Sequence, residues 1–154
     1  MDEEFLHLVI PSPLGALTLF ATGDGLTVIE TGAAPTTGEG NAVLREAKKQ
    51  LDAYFDGKLR SFDLPLAPHG TPRQQETWAA MCAIPYGETR TYGEIAKDIG
   101  SAARAVGTAC ARNPIPIIQP CHRVLGADGK LGFYSFADGP ETKQRLLNLE
   151  GFPI

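Results

Sequence analysis

The pattern of apolar and polar residues along the first third of the chain is short and partly alternating. Residues 5–10, 15–21 and 26–30 are apolar segments, and turn sequences rich in Gly, Pro, Ser and Asp separate them. Alternation over segments of this length, bounded by turn residues, is typical of β-strands. We therefore expect three strands that form an antiparallel meander.

A helical periodicity follows the meander. Residues 41–56 carry apolar side chains at intervals of three and four, and Gly57 comes directly after them. This spacing predicts a helix with one apolar face that ends at the glycine. The face consists of Leu44, Ala47, Leu51, Tyr54 and Phe55. Residues 58–70 then contain a short predicted strand and a segment rich in Pro and Gly, so we place a domain boundary after residue 70.

The second half of the chain shows short helical patterns with distinct start and stop signals. Thr71, followed by a proline, supplies an N-cap for a helix that is predicted to run to Pro85 with Cys82 in the core. A last helix is predicted to begin near Gly139 and to end in the sequence LLNLEG. Residues 115–119 are apolar without helical spacing, and they are predicted to be extended.

Two further helices are predicted between these. Thr91 and Glu94 form a capping box that opens a helix over residues 92–99, which a glycine ends. Ser101 can cap a second helix over about 102–112. Two short helices around a turn that contains glycine are typical of a helix-turn-helix, and an ordinary helical hairpin fits the same pattern.

The second helix of this pair is unusually smooth. A helix that reads bases in the major groove needs Arg, Asn, Gln or Ser at several positions, and here Arg104 is the long side chain near the start. Small residues allow close approach to a narrow groove, where one long side chain can act as a wedge. They also allow tight packing against neighbouring helices. The small residues are Ala102, Ala103, Ala105, Gly107, Thr108, Ala109 and Ala111.

Composition and charge narrow the choice of partners only slightly. The chain has 154 residues, of which 43% are hydrophobic and 21% charged, as expected for a soluble globular protein of one domain or one domain with a small appendage. The net charge is −4, but residues 1–72 hold five Lys/Arg against ten Asp/Glu, whereas residues 89–130 hold six against three. An acidic half joined to a mildly basic segment is compatible with a nucleic-acid partner and equally with a solvated surface of mixed charge.

The cysteines and the N-terminus indicate a reducing compartment. There are three cysteines at wide spacing, which is no disulfide framework, so we expect a cytoplasmic protein. The N-terminal sequence fits no signal peptide, and no apolar run is long enough to cross a membrane. No CxxC occurs and the three histidines are scattered, so we expect no metal site.

The candidate nucleophile is Cys121, in the sequence IIQPCHRV. A thiol becomes nucleophilic when a histidine, a cation or a helix N-terminus lowers its pKa. His122 and Arg123 are adjacent in sequence, although neighbours on a strand point to opposite faces. A buried structural cysteine is the commoner case, and local sequence leaves both readings open.

Glu150 lies in the last turn of the final helix, where a negative charge opposes the helix dipole. The placement is explained if Glu150 has a cationic or proton-donating partner. A Cys121–His122–Glu150 relay would supply one, because a carboxylate orients the imidazole that takes the thiol proton. A glutamate in a frayed helix end, bonded to an arginine or to nothing, is the alternative.

The motifs together resemble a known family. RAVGTACARNP followed by PCHRV resembles the DNA-repair alkyltransferases that act on 6-O-alkylguanine, which carry RAVG and NP directly before PCHRV. Agreement extends to PLGALTLFATGDGL, to GTPRQQETWAAMCAIPYGETRTYGEIA and to the terminal LLNLEG, so the resemblance covers nearly the whole chain.

The resemblance implies the catalytic roles. Cys121 would be the acceptor thiolate, His122 would act as its base through a water, Glu150 would orient His122, and Asn113 would shape the turn before the active-site loop. It implies irreversible, stoichiometric transfer from O6 of a flipped-out guanine, with O4 of thymine as a second candidate. It implies no cofactor.

The resemblance also implies the binding residues. Arg104 would replace the flipped base from the minor groove, Tyr92 would contact the adjacent phosphate, and small residues would keep the helix slim. The partner would be double-stranded DNA, bound largely without sequence preference by a monomer. The full DNA-binding set is Thr91, Tyr92, Ala103, Arg104, Ala105, Gly107 and Arg112. The substrate-binding set is Pro116, Val124, Tyr134 and Ser135.

Three features depart from the family pattern. The turn between the two helices is about two residues shorter than usual. The stretch GFYSFADGPETK, residues 132–143, replaces a GYxGGLxxK pattern, looks two residues longer, and has Phe136 where a glycine is expected. Gln119 stands where an aliphatic residue is commoner. Phe136 would narrow the alkyl pocket, or the longer loop would open it.

The fold class expected from these observations is α+β. Residues 1–70 would form an RNase H-like domain, a small antiparallel sheet with a helix, and residues 71–154 a winged helix-turn-helix-like catalytic domain. The leading function is a single-turnover alkyltransferase. A lesion-binding protein without transfer chemistry is the alternative that the altered pocket favours, and an unrelated thiol hydrolase would leave Arg104 without a role.

Overall fold

The computed structural model describes residues 6–34, 40–132 and 134–154. The chain divides into two compact units, residues 1–69 and 70–154. Within the described ranges, no helix is both long and apolar enough to span a bilayer. Residue 5, the first residue of the first predicted strand, lies outside these ranges.

The first unit is built on the predicted meander. Strands β1 (Leu6–Ile10), β2 (Leu17–Thr22) and β3 (Gly25–Thr31) pair antiparallel in that order, with Leu19 of β2 between Leu8 and Ile29. The expected antiparallel sheet is therefore confirmed.

Helix α1 (Ala42–Phe55) packs against this sheet. Asn41 caps it by accepting a hydrogen bond from the Leu44 amide at 2.9 Å. The predicted apolar face is buried except for Phe55, which is only partly covered.

The strand predicted within residues 58–70 is reduced to a single bridge. Leu66 pairs in parallel with Leu26, through bonds from the Leu26 amide to the Pro65 carbonyl and from the Ala67 amide to the Leu26 carbonyl. Pro65 and Pro68 have no backbone N–H, so they limit a longer ladder here.

The second unit holds four helices and a short parallel pair of strands. Helix α2 (Pro72–Cys82) is followed by β4 (Arg90–Thr91), α3 (Tyr92–Ile99) and α4 (Ala103–Ala111). A 3₁₀ turn (Cys121–Arg123) leads into β5 (Val124–Leu125), which pairs with β4, and α5 (Pro140–Leu149) ends the fold. The α+β architecture with a helical second half is as expected from the sequence.

Helix α2 ends earlier than predicted. It stops at Cys82 rather than Pro85, because proline lacks the N–H that a helix needs and disfavours helical backbone at the residue before it. The prediction that Cys82 lies in the core is wrong: the residue is exposed at the end of the helix, one position after the buried Met81.

The cap of α4 also differs from the prediction. Ser101 does not cap it; Ala102 is the N-cap and makes no side-chain hydrogen bond. The reason is that Ser101 still belongs to the end of α3, where its amide bonds the Ala96 carbonyl at 2.8 Å across the left-handed Gly100.

Residues 115–119 are a turn, not the extended segment that was predicted. The side-chain oxygen of Asn113 accepts a hydrogen bond from the Ile115 amide at 3.0 Å, and the Gln119 amide donates one to the Ile115 carbonyl at 2.9 Å. Ile117 takes a left-handed backbone conformation with φ 75°. Local bonds thus replace a strand ladder, and they bring Cys121 back towards α4.

Packing among α2, α3 and α4 holds the helix pair in place. Trp78 of α2 is buried and donates from its indole to the Ala109 carbonyl of α4 at 2.9 Å. Arg73 of α2 donates to the last carbonyls of α3, Ile99 at 2.9 Å and Gly100 at 3.2 Å. The short turn between α3 and α4 is therefore anchored by a third helix.

Candidate active site

Cys121 lies beside a small cavity of about 30 Å³ in the second unit. The residue is only 5% exposed, and its position at the start of the 3₁₀ turn follows from the turn that precedes it. Helix α4 supplies one wall through Gly107, Cys110 and Ala111, and Tyr92 at the start of α3 lines it as well. A thiol in this position can meet a small reactive group while being shielded from bulk water.

Further lining residues come from the turn after α4 and from the loop before α5, two segments in which the sequence predicted site residues. Pro116 and Asn113 line the cavity from the turn, and Tyr134, Ser135 and Phe136 line it from the loop before α5. Phe136 contacts the ring of Tyr134 edge-on, with ring centroids 6.4 Å apart. The structure therefore places Phe136 in the wall.

The Cys121 sulfur receives a hydrogen bond from the side-chain amide of Asn113, at 3.2 Å. The same Asn113 nitrogen donates to the Gln119 carbonyl at 2.7 Å, and the Asn113 oxygen accepts from the Gln119 side chain at 2.8 Å. Asn113 thus both closes the turn and presents an N–H to the sulfur.

Opposing effects set the ionisation of Cys121, and together they raise the pKa of its thiol. Burial raises the pKa of the thiol, because it disfavours the charged thiolate. The Asn113 hydrogen bond and the charge of Lys143 lower it. Cys110, on the same cavity, has its pKa raised by burial to about 12, so it remains a thiol near neutral pH.

His122 and Glu150 are in contact, and both are buried. His122 Nε2 lies 2.7 Å from Glu150 Oε2. Arg123 donates to the same carboxylate from Nε at 2.8 Å and from a terminal nitrogen at 3.0 Å, and the Gly87 amide donates at 3.1 Å. The contact predicted for Glu150 is present, and the alternative partner, an arginine, is present beside it.

These contacts fix the protonation of His122. Burial lowers the pKa of the imidazole, while the Glu150 hydrogen bond and charge raise it. Burial dominates, so the ring is neutral near pH 7, with its proton on Nε2 facing the carboxylate. Nδ1 then carries the lone pair, and it is buried without a hydrogen-bond partner among the described residues. Among the same residues, His122 makes no hydrogen bond to Cys121.

Lys143 is a site residue that sequence reasoning missed. It is fully buried, donates to the Val124 carbonyl at 2.6 Å, and lies over the rings of Tyr92 and Tyr134 at 5.8 and 6.0 Å. Burial lowers its pKa to about 8. A lysine near the start of a helix opposes the helix dipole, and that signal in the sequence could have identified it.

The predicted DNA-binding residues lie in different parts of the second unit. Tyr92 and Gly107 line the cavity, whereas Ala103, Arg104 and Ala105 form an exposed stretch at the start of α4. Arg104 and Ala105 also line a cleft of about 500 Å³ between α2 and α4. The helix therefore presents a small-residue surface with one arginine.

The remaining predicted residues lie outside the cavity lining. Thr91 caps α3, accepting the Glu94 amide at 3.1 Å, and Arg112 is the C-cap of α4. Val124 is completely buried and does not line the cavity; its carbonyl holds Lys143 instead. No group of three or more metal-ligating side chains occurs in residues 6–34, 40–132 and 134–154.

Both halves of the chain match the sequence profiles of one family. Residues 72–152 match the 6-O-methylguanine DNA methyltransferase, DNA binding domain, and residues 6–68 match its ribonuclease-like domain. The chain belongs to the 6-O-methylguanine DNA methyltransferase family. The resemblance inferred from the sequence is thereby confirmed.

Individual members of this methyltransferase family are similar over nearly the whole chain. The methylated-DNA–protein-cysteine methyltransferase of Methanosarcina acetivorans is 49% identical and covers 94% of this chain and 97% of the relative. That of Mycobacterium tuberculosis is 48% identical, with 94% and 91% covered.

Solved structures agree with this assignment. The M. tuberculosis O6-methylguanine methyltransferase superposes with a TM-score of 0.83 at 46% identity, covering 96% of this chain and 93% of that one. A structure of the M. tuberculosis protein in complex with DNA gives a TM-score of 0.82 at 46% identity, covering 96% and 94%.

Proposed function

We propose that this chain repairs alkylated DNA by moving an alkyl group from O6 of guanine to the sulfur of Cys121. The observation that carries the proposal is the placement of Cys121: its sulfur borders a small cavity, accepts an N–H from Asn113, and lies in the family's PCHRV sequence. The names of the relatives, which are methylated-DNA–protein-cysteine methyltransferases, support it.

The first step is removal of the thiol proton. His122 is neutral, and its Nδ1 lone pair is available while Nε2 is tied to Glu150. Because His122 makes no direct hydrogen bond to Cys121 within the described residues, the proton would pass through a water. Glu150 holds the tautomer that keeps Nδ1 basic, and Arg123 balances the carboxylate charge.

The transfer itself is an in-line displacement at the alkyl carbon. A sulfur–carbon bond forms as the carbon–O6 bond breaks, and the electron pair of the broken bond remains on O6. Guanine then takes up a proton, for which the buried Tyr134 hydroxyl beside the cavity is the candidate donor. A thioether is not hydrolysed under these conditions, so each molecule would act once and no cofactor would be required.

The substrate base must leave the duplex to reach this cavity. A damaged guanine pairs poorly, which lowers the cost of flipping it out. Arg104 is exposed at the start of α4 and would fill the vacated position from the minor groove. A Cβ added at Gly107 would meet nothing within 4 Å, so packing within the chain does not require this glycine. Close approach of DNA would explain it.

A second candidate function rests on Phe136. The ring lines a cavity of only about 30 Å³, where the family pattern has glycine. A wall of this kind would favour a protein that binds alkylated DNA without accepting the alkyl group. Small alkyl groups fit the cavity, so transfer of a methyl group remains the leading proposal.

The proposal includes the setting in which the protein works. The described residues contain three free cysteines, one of them exposed, which suits the reducing cytoplasm. A single chain contains the whole proposed site, so we propose that it acts as a monomer.

Intact-mass spectrometry tests the function directly. The protein would be mixed with a duplex that carries one O6-methylguanine, with Cys121→Ser as the matched control. We expect one methyl group per molecule of the wild type and none on the variant. A bound duplex with no mass gain would favour the lesion-binding alternative, and turnover of ester or amide substrates without methyl transfer would favour a thiol hydrolase.

A further inference from the structure

Gln119 is buried immediately before the active-site turn, and both its side chain and its backbone contact Asn113. Only 3% of Gln119 is exposed. Its Nε2 donates to Asn113 Oδ1 at 2.8 Å, and its carbonyl accepts from Asn113 Nδ2 at 2.7 Å. A polar side chain is rarely buried without hydrogen-bond partners, because its removal from water costs free energy. Here its hydrogen bond goes to the residue that contacts Cys121.

The hydrogen bonds of Asn113 leave its amide with one orientation. Oδ1 accepts twice, from Gln119 Nε2 and from the Ile115 amide at 3.0 Å, and Nδ2 donates twice, to the Gln119 carbonyl and to Cys121 Sγ. This uses the donor and acceptor capacity of the group in full. A rotation by 180° would place two donors against an N–H₂ group and an oxygen against the sulfur.

We propose that Gln119 is a positioning residue, which holds the Asn113 amide so that Nδ2 faces Cys121 and thereby favours the thiolate. The donation to Oδ1 does this in two ways. It opposes rotation of the amide, and it polarises the amide so that Nδ2 becomes a stronger donor, an effect of about 10–30% per bond. Gln119 is not itself a lining residue of the cavity, and its side chain bonds Asn113 rather than the sulfur, so its effect passes through Asn113.

The electrostatics of the sulfur give this arrangement its consequence. Burial raises the pKa of Cys121, and the Asn113 hydrogen bond is the largest of the effects that lower it. Any weakening of that bond leaves burial less opposed. The thiolate population near neutral pH should therefore fall when Gln119 loses its donor.

The test is the pH dependence of Cys121 alkylation by iodoacetamide, in wild type, Gln119→Met and Gln119→Glu. Methionine keeps the length and removes the donor, and ionised glutamate also adds a negative charge. Trypsin separates the cysteines, because Cys121 falls in peptide 113–123 and Cys110 in peptide 105–112. The Cys110 thiol contacts the Met81 sulfur at 3.5 Å, and Asn113 bonds only the backbone carbonyl of Cys110. Cys110 therefore serves as an internal control.

We expect the midpoint of the Cys121 profile to rise by about half to one pH unit in Gln119→Met, and further in Gln119→Glu. This corresponds to a rate about three- to tenfold lower below the midpoint, with the high-pH plateau unchanged. A Gln119→Met profile that superimposes on the wild type, or a lower plateau with an unmoved midpoint, would overturn the proposal.

Gln50→Met is the matched control for stability. Gln50 is also a buried glutamine, bonded on both ends to the backbone of Asp63 at 2.7 and 2.8 Å, and it lies in the first unit. Its replacement should lower the unfolding temperature without moving the Cys121 midpoint. An equal midpoint shift in Gln50→Met would show a general loss of stability and would also overturn the proposal.

The inference rests on the proposed function only for its biological meaning. Labelling by iodoacetamide needs no DNA, so the two proposals fail separately. A shifted midpoint without methyl transfer from DNA would remove the proposed function and leave the role of Gln119. Methyl transfer with an unshifted midpoint would support the proposed function and remove the role of Gln119.

Discussion

The reactivity of the Cys121 sulfur depends on neighbours that are remote in sequence. Asn113 precedes it by eight residues, and Lys143 follows on α5. Neither group abstracts a proton; each lowers the pKa of a thiol that burial raises, and burial remains the larger effect. The Cys121 sulfur is thus shielded from water and lies beside groups that stabilise its thiolate, whereas Cys82 is exposed.

Replacing Lys143 with methionine should slow alkylation of Cys121 near neutral pH. The pKa of Lys143 is lowered to about 8, so the side chain is charged below that pH and supports the thiolate there, and its support fades as the pH rises through 8. We expect a rate about three- to tenfold lower at pH 7, with the two profiles converging above pH 8. Lys130→Met, at an exposed lysine, should leave the profile unchanged. An equal rate ratio at all pH values would contradict this.

Replacing Phe136 with alanine should widen the range of alkyl groups. The ring lines the cavity beside Tyr134, and its removal adds space where the alkyl group would lie. The ratio of benzyl to methyl transfer rates should rise by about tenfold or more. Transfer rates from the two modified guanines, measured on the same duplex, check it. An unchanged ratio would show that the loop backbone, not the ring, sets the limit.

At the level of secondary structure, local signals predicted the helices well. The helices α1, α3 and α5 were foreseen within about a residue, because each has its own periodicity and its own cap or glycine stop. The turn at 115–119 was not, since an apolar segment looks the same whether a ladder or a side chain satisfies its backbone. Asn113 does so here by accepting a hydrogen bond from the amide two residues on, an Asx turn whose sequence signal is the Asn113-Pro114 pair.

The candidate site shows the same division. Cys121, His122 and Glu150 could be named from motif and dipole arguments, and His122 and Glu150 meet at 2.7 Å. Lys143 carried only the signal of a lysine near a helix start, and its burial, like the position of Val124, could not be predicted before the packing of α5 was known. Burial decides such cases, and burial is a property of the assembled unit.

Helix α4 should matter for DNA and little for the chemistry. Arg104 is exposed on this helix and is not part of the cavity lining. Arg104→Ala should lower repair of duplex DNA by at least about tenfold, the equivalent of one lost contact. The reason is that no side chain would then fill the position that the flipped base leaves in the duplex. Reaction with free O6-methylguanine should be nearly unchanged. Arg60→Ala, in the first unit, is the charge-matched control, and equal losses on both substrates would remove the wedge role.

At the scale of the whole molecule, two units of different character share one chain. Residues 1–72 are acidic and residues 89–130 carry a net charge of +3, so the segment with α3, α4 and Cys121 is the one suited to a polyanion. The family profiles divide the chain in the same two parts, with the DNA binding domain over residues 72–152. The DNA binding domain of the family and the proposed acceptor Cys121 therefore fall in the same unit.

Adduct size should determine how alkylation affects stability. A methyl group fits the cavity beside Cys121, so the methylated protein should unfold within about 2–4 °C of the free protein. A benzyl group exceeds the cavity and must displace the loop at 134–136, an overpacking that costs about 1–3 kcal/mol and lowers the unfolding temperature further. Calorimetry of the two adducts checks this, and equal unfolding temperatures would contradict it.

The small cavity then has a consequence beyond catalysis. A spent molecule would retain the alkyl group that inactivated it. Because the cavity is small, a larger alkyl group would lower the unfolding temperature of the protein more. A population of such molecules would hold a cumulative record of exposure, sorted by the bulk of the damaging agent. The chain would serve as a chemical dosimeter, whose scale is set by the space that Phe136 leaves.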